Sequence, residues 1–210
     1  MRILAIGAHF DDVEIGCGGS LAKHRADGDD VAIFVATHSG YLGIDGSQMR
    51  DPDVARSEGE AAAAILGIDE VHCGGFETNN LVCDEALVVA LRRLVDDFKP
   101  DLVYSHWLDD VHLDHHNLAR AALSACRHVP SFLCYRSNLY ASAGSFDGRF
   151  LRDISSTLKK KREACLAHAS EIDRGLADLV DDILAKNCAD ARPLGLQAVE
   201  CFEVIRFLEK

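Results

Sequence analysis

The sequence predicts a three-layer α/β sandwich with a mostly parallel sheet, and three observations carry that reading. Short apolar runs alternate with longer amphipathic stretches, the pattern of consecutive βαβ units. The first run, Arg2–Gly7, is continuous rather than alternating, as in a central strand buried on both faces. Apolar residues make up 48% and charged residues 27% of the chain, which suits a soluble globular fold and leaves little case for a fibrous or disordered one.

At 210 residues the chain can bury a substantial core as one domain. After the first strand, Gly16–Ala26 reads as the opening of a helix and Asp30–Thr37 as a second strand. Residues 38–53, rich in Gly, Asp and Ser, read as a long loop of the kind that is often functional. Asp53–Leu66 is a helix stopped by Gly67. Glu70–Cys73 is a short strand, and Glu85–Phe98 a helix closed by Lys99-Pro100. Leu102–Ser105 is the next strand, leading through a polar loop into a helix over Asn117–Cys126. Strand signals return at Phe132–Tyr135 and Leu151–Ile154. Leu158–Ala169 reads as a helix, and Phe202–Phe207 as a final strand or helical turn. No repeat, low-complexity tract or linker divides the chain, so residues 1–210 form one Rossmann-like domain in this reading.

A formal charge of −12 repels phosphate backbones and anionic lipid surfaces. Nucleic acid and membrane surfaces are therefore poor partners, although a local basic pocket for an anionic substrate stays open. No apolar run approaches the roughly 20 residues of a membrane-spanning helix. The opening apolar segment is also too short for a signal peptide, so a cytoplasmic location is the default expectation. Eight cysteines (Cys17, Cys73, Cys83, Cys126, Cys134, Cys165, Cys188 and Cys201) are scattered, form no C-x-x-C pair and sit mostly in apolar contexts. They read as reduced, mostly buried thiols and not as a disulfide framework.

In open α/β sheets ligands bind beyond the carboxyl ends of the strands. There, after the first strand, the chain reads Ala8-His9-Phe10-Asp11-Asp12-Val13-Glu14-Ile15-Gly16-Cys17-Gly18-Gly19. Three acids and a histidine within six positions are costly to bury without a partner, and a divalent cation suits imidazole and carboxylate together. If the chain turns into a helix there, His9 and Asp12 face one point and Asp11 is free to act as a base. Capping of the following helix by the acids is the alternative. The glycines also permit a phosphate-cradling loop, although G-x-G-G lacks the full dinucleotide fingerprint.

A second cluster follows the strand Leu102–Ser105: His106, Asp109, Asp110, His112, Asp114, His115 and His116 lie within eleven residues. It belongs on the same sheet edge as His9. Two clusters at two strand ends can supply the three protein ligands and one open position of a catalytic metal site.

At this point the sequence resembles the PIG-L/LmbE-like family of zinc-dependent N-deacetylases. The family's A-H-P-D-D-x-E-x-G-x-G-G motif is matched by residues 8–19, and its H-x-D-H motif by His112-Leu113-Asp114-His115. Arg56-Ser57-Glu58 with Leu66-Gly67 is similar to its Arg/Glu-bearing helix, and Lys99-Pro100-Asp101-Leu102-Val103 to its lead into the metal-site strand. Asp153-Ile154, Lys161, His168-Ala169-Ser170 and Glu200-Cys201-Phe202 resemble its later segments, so matches span most of the chain. The resemblance implies that His9, Asp12 and His115 bind one Zn2+ (or another divalent transition metal), and that Asp11 is the general base. It further implies that His112 stabilises or protonates the tetrahedral intermediate and that Asp114 orients its histidine neighbours. Phe10 departs from the family's proline and Glu171 from its glutamine, and the register of the Arg56 helix leaves Ala55 as an alternative occupant of the arginine position.

The function expected is removal of an N-acetyl group from an amino-sugar of N-acetylglucosamine type, free or in a glycoconjugate. Hydrolysis of another amide or acyl bond is the alternative among enzymes, and a sugar-phosphate- or nucleotide-binding module the alternative outside them. Arg56, His38 and Trp107 are candidate substrate contacts. His106 and His116 read as residues beside the site, and Lys159-Lys160-Lys161-Arg162 as the polar face of a helix. A homo-oligomer stays open.

Overall fold

The computed structural model describes residues 1–209. Among the described residues, nine strands and seven α-helices follow in chain order. They are β1 (Arg2–Gly7), α1 (Asp12–Ala26), β2 (Asp30–Thr37), β3 (Tyr41–Leu42), β4 (Gln48–Arg50), α2 (Pro52–Leu66), β5 (Glu70–Phe76) and α3 (Glu85–Phe98). Then come β6 (Leu102–His106), α4 (Leu113–Ala125), β7 (Ser131–Tyr135), β8 (Phe150–Asp153), α5 (Leu158–Leu166), α6 (Ala169–Glu171), α7 (Ala177–Ala191) and β9 (Val199–Arg206).

Seven strands form one sheet in the order β5-β2-β1-β6-β7-β9-β8. The pairs β1–β2, β1–β6, β2–β5 and β6–β7 are parallel, whereas β9 runs antiparallel to both β7 and β8. The expected mostly parallel, three-layer architecture is therefore what the chain adopts. Side chains of β1 alternate between two cores: Ile3 and Ala5 face Leu21, Leu66 and Ala164 of α1, α2 and α5, while Leu4 and Ile6 face Leu91 and Leu118 of α3 and α4. Burial on both faces is why β1 reads as unbroken apolar sequence.

The chain winds from β1 outward through β2 to β5, then crosses back to β6 on the other side of β1. This reversal opens a crevice between the carboxyl ends of β1 and β6, the place where open α/β sheets bind ligands. The two polar clusters of the sequence flank it.

Several boundaries differ from the sequence expectation. Both site helices begin four residues early: α1 starts at Asp12 instead of Gly16, and α4 at Leu113 instead of Asn117. Polar residues read as loop are in fact first-turn residues, where acids complement the helix dipole. Residues 38–53 hold the small hairpin β3–β4, and α7 occupies a region for which the sequence offered no element. Gly67 does end α2 in the left-handed region, φ 84°.

Candidate metal centre

His9 and Asp12 stand either side of the turn from β1 into α1, and His115 is in the first turn of α4. Their side chains meet. His9 Nδ1 lies 3.3 Å from Asp12 Oδ2, Asp12 Oδ1 3.2 Å from His115 Nε2, and His115 Nε2 3.3 Å from His9 Nδ1. Donor atoms around a tetrahedral ion with bonds of roughly 2.0–2.2 Å are about 3.4 Å apart, so each of these separations suits such a site, the two Asp12 contacts using different oxygens of its carboxylate.

The far side of each imidazole is fixed by a buried carboxylate. Asp114 Oδ2 lies 2.9 Å from His9 Nε2, and Asp114 also accepts the backbone N–H groups of Asn79 (2.7 Å) and Leu81 (3.0 Å). Asp110 Oδ2 lies 3.2 Å from His115 Nδ1, while Asn138 Nδ2 donates to both Asp110 oxygens at 3.0 and 2.8 Å. A carboxylate behind each ring selects the tautomer whose lone pair points inward, the arrangement that supports metal-ligating histidines. Asp12 is tied by the backbone N–H groups of Ala8 and His9 at 3.1 and 2.7 Å and by the Ser137 hydroxyl at 2.7 Å. Those N–H groups precede α1, whose N-cap residue Asp11 makes no side-chain capping bond.

Electrostatics favour a cation here. Burial opposes charge on His9, but Asp114 and Asp12 outweigh it and raise its pKa to about 9. Burial likewise opposes charge on His115, and Asp12 and Asp110 overcome it, raising it to about 10. A metal ion competes with those protons for the same lone pairs. Burial and then the neighbouring charge of Asp12 push the Asp11 pKa upward.

His106 and His112 complete the ring cluster. Candidate ligand atoms fall into two overlapping sets, His9–His112–His115 and Asp12–His106–His115, each within 4.8 Å. His106 is fully buried behind His115 and its Nε2 is taken up by Ala8 N–H (3.0 Å) and Asp12. His112 faces the opening, and its Nδ1 accepts the Asp114 backbone N–H at 3.2 Å, which leaves Nε2 to carry the proton in the neutral ring. A cavity of about 330 Å³ covers His9, Asp11, Asp12, His112 and His115, walled by Tyr41, Arg50, Asn138, Tyr140 and Glu171.

Three expected substrate contacts lie elsewhere. Arg56 is 59% exposed on α2 and pairs with Glu60 at 2.9 Å, because that face of the helix points to solvent. Trp107 is 2% exposed and donates to Glu203 at 3.1 Å, a core position beyond the end of β6. His38 lines an adjoining depression and not the metal cavity, with Nδ1 accepting Gly40 N–H at 3.0 Å and Nε2 3.3 Å from Glu77. The half-buried His116 lies outside the cavity lining. The glycines that left a phosphate loop open lie inside α1, where Gly16 and Gly19 admit Tyr135 and Ile154. Ser137, Asn138 and Arg50 are not singled out by the sequence, and Asp110 is named there only as a member of the second cluster. The signal for Ser137 and Asn138 was their place just past a parallel strand of the switch region.

A sequence profile described as PIG-L: GlcNAc-PI de-N-acetylase matches residues 4–126, more than half of the chain. The chain belongs to the PIG-L family. Within it, the chain is 34% identical over 141 residues to the uncharacterised deacetylase YaiS of Escherichia coli K12, covering 64% of this chain and 73% of that one. It is 24% identical over 202 residues to a diacetylchitobiose deacetylase of Thermococcus kodakarensis, covering 87% and 74%. The crystal structure of GalB, a 4-carboxy-2-hydroxymuconate hydratase of Pseudomonas putida KT2440, superposes with a TM-score of 0.82 at 20% identity over 100% and 98% of the chains. That last likeness is one of fold. The PIG-L fold thus frames more than one activity, and the choice among them rests on the site.

Proposed function

We propose that this PIG-L protein hydrolyses the N-acetyl amide of an amino-sugar, free or conjugated, with one zinc ion held by His9, Asp12 and His115. The observation that carries the reading is the approach of His9 Nδ1, His115 Nε2 and the two Asp12 carboxylate oxygens to 3.2–3.3 Å on the floor of an open cavity, with Asp11 and His112 beside them. Family membership supports amide hydrolysis, and the name of the Thermococcus relative supports an acetylated sugar.

When bound, such an ion acidifies water and polarises an amide carbonyl. The rest of the work falls to the chain. Asp11, raised by burial and by Asp12, is a stronger base than an ordinary carboxylate and accepts the proton of the attacking water. It then hands that proton to the departing amine nitrogen. His112, with its proton fixed on Nε2, donates to the carbonyl oxygen as negative charge develops there. Asp114 and Asp110 hold the two imidazole ligands in orientation. The hydroxyl- and amide-rich walls suit a polar ring more than an apolar chain.

The test is metal content together with acetate release from N-acetylglucosamine and N,N'-diacetylchitobiose, for wild type and Asp11→Ala. One metal per chain in both, with acetate released only by wild type, supports the reading. Metal without acetate release from any N-acetyl sugar moves the scissile bond to another acyl group. A chain that takes up no zinc even when it is supplied sinks the proposal.

A further inference from the structure

Asp11 is held in an unusual backbone conformation, φ 139° and ψ −29°. L-residues rarely occupy that region, and one that does persists only where its surroundings impose it. Two peptide groups flank the residue. The Asp11 carbonyl accepts the Ile15 N–H at 3.0 Å, the first bond of α1. The other peptide, between Phe10 and Asp11, is fixed from outside the turn.

Three contacts hold Phe10, and the last of them acts on that peptide itself. The Phe10 N–H donates to Ser39 Oγ at 2.8 Å. The Phe10 ring fills the gap opposite Gly59 of α2, where a Cβ would stand 2.2 Å from Phe10 Cδ1. The Phe10 carbonyl, whose plane sets the entry into Asp11, accepts Arg50 Nη1 at 3.0 Å. Arg50 is 3% exposed and is itself clamped: Nη2 donates to Glu58 Oε2 at 3.1 Å, and Nε lies 3.4 Å from Glu171 Oε1. Glu58 in turn accepts the Ser170 N–H and hydroxyl, both at 2.7 Å. A line of directed contacts thus runs from α6 through α2 and β4 to the peptide in front of Asp11. The N–H used at position 10 is one that a proline there could not offer.

We propose that Arg50 is a positioning residue which, through the Phe10 carbonyl, holds Asp11 in the conformation that aims its carboxylate into the cavity. The inference rests on the reading of Asp11 as the base. Arg50 acts as a two-sided bracket: the Nε/Nη2 edge of its planar guanidinium faces Glu171 and Glu58, and Nη1 reaches the backbone. Lysine keeps the positive charge between Glu58 and Glu171 but lacks the fork needed to hold Phe10 at the same time.

The experiment is Arg50→Lys, read by steady-state kinetics, metal stoichiometry and a crystal structure. The expected result is a kcat lower by about 10- to 100-fold, with KM and bound metal unchanged, because a base displaced by an ångström loses this much. In the crystal, Asp11 leaves the positive-φ region. An unchanged kcat, a rise in KM alone, or Asp11 still near φ 139° overturns the proposal. If Arg50→Lys does not fold, Glu58→Gln loosens Arg50 without removing it and is judged by the same readouts. If wild type releases no acetate, the deacetylase reading fails by itself, and the backbone of Asp11 in the variant still decides what Arg50 does.

Discussion

His106 lies flat against His115, with ring centroids 4.0 Å apart and planes inclined by 14°. On the opposite face of His115 lies His112, at 4.4 Å and 19°. His115, one of the proposed ligands, is thus the middle of a three-imidazole stack, and His106 closes the buried side. His106→Ala removes this backing together with the contacts to Ala8 and Asp12. Metal affinity measured by chelator competition is expected to fall about 10-fold or more, in the range seen when residues supporting metal ligands are lost. An unchanged affinity would show that Asp110 alone orients His115.

Gly16 faces the aromatic ring of Tyr135, whose hydroxyl donates to the Ile6 carbonyl at 2.8 Å. A Cβ at position 16 would lie 2.0 Å from Tyr135 Cδ2, and the tethered ring has nowhere to go. Gly16→Ala is expected to destabilise the protein by about 1–3 kcal/mol or more, as overpacked cores do. Urea unfolding of the two proteins checks this; equal midpoints would mean that α1 shifts freely.

His24 supplies a pH dependence remote from the metal. Its Nδ1 lies 2.6 Å from Asp29 and its Nε2 3.2 Å from the Tyr104 hydroxyl. Burial dominates, Arg152 adds to it, and together they take the imidazole pKa from 6.5 down to about 4. Between those values the unfolded chain binds a proton that the folded chain does not. Stability is therefore complete above pH 6.5 and is lost as pH falls toward 4, by at most about 1.4 kcal/mol per pH unit. His24→Gln is expected to flatten the fall in urea-unfolding free energy across that window, so that the difference between the two proteins changes with pH. Parallel curves for wild type and variant would disprove it.

Arg56 belongs to the solvent face of α2, so Arg56→Ala is expected to leave kcat and KM within about twofold of wild type, as surface substitutions away from the site do. A large rise in KM would return this residue to the list of substrate contacts.

Much of this was legible in the sequence. The bounds of β1, β2 and α3 follow from continuous apolar runs and a periodic helix face, and both motif clusters fall on the predicted edge. Side-chain atoms of His9, Asp12 and His115, the three residues that the resemblance singles out, lie 3.2–3.3 Å from one another. What escaped were long-range partners: Arg50 reaches Phe10 from a hairpin that reads as loop, and Asn138 reaches Asp110 from another strand end. Side-chain roles of this kind depend on who is opposite, which local composition does not encode. The early starts of α1 and α4 escaped for a related reason, since His112 caps α4 through its ring nitrogen and gives no standard capping signature.

The metal set also depends on how the chain has closed. Its ligands come from the ends of β1 and β6, their tethers from the segments after β5 and β7. A chain in which those four strands have not yet joined one sheet offers two half-sites, each with part of the candidate ligand set and free to take protons instead. Uptake of the proposed ion would accordingly report finished assembly, since an ion that binds only the closed sheet holds it closed by mass action.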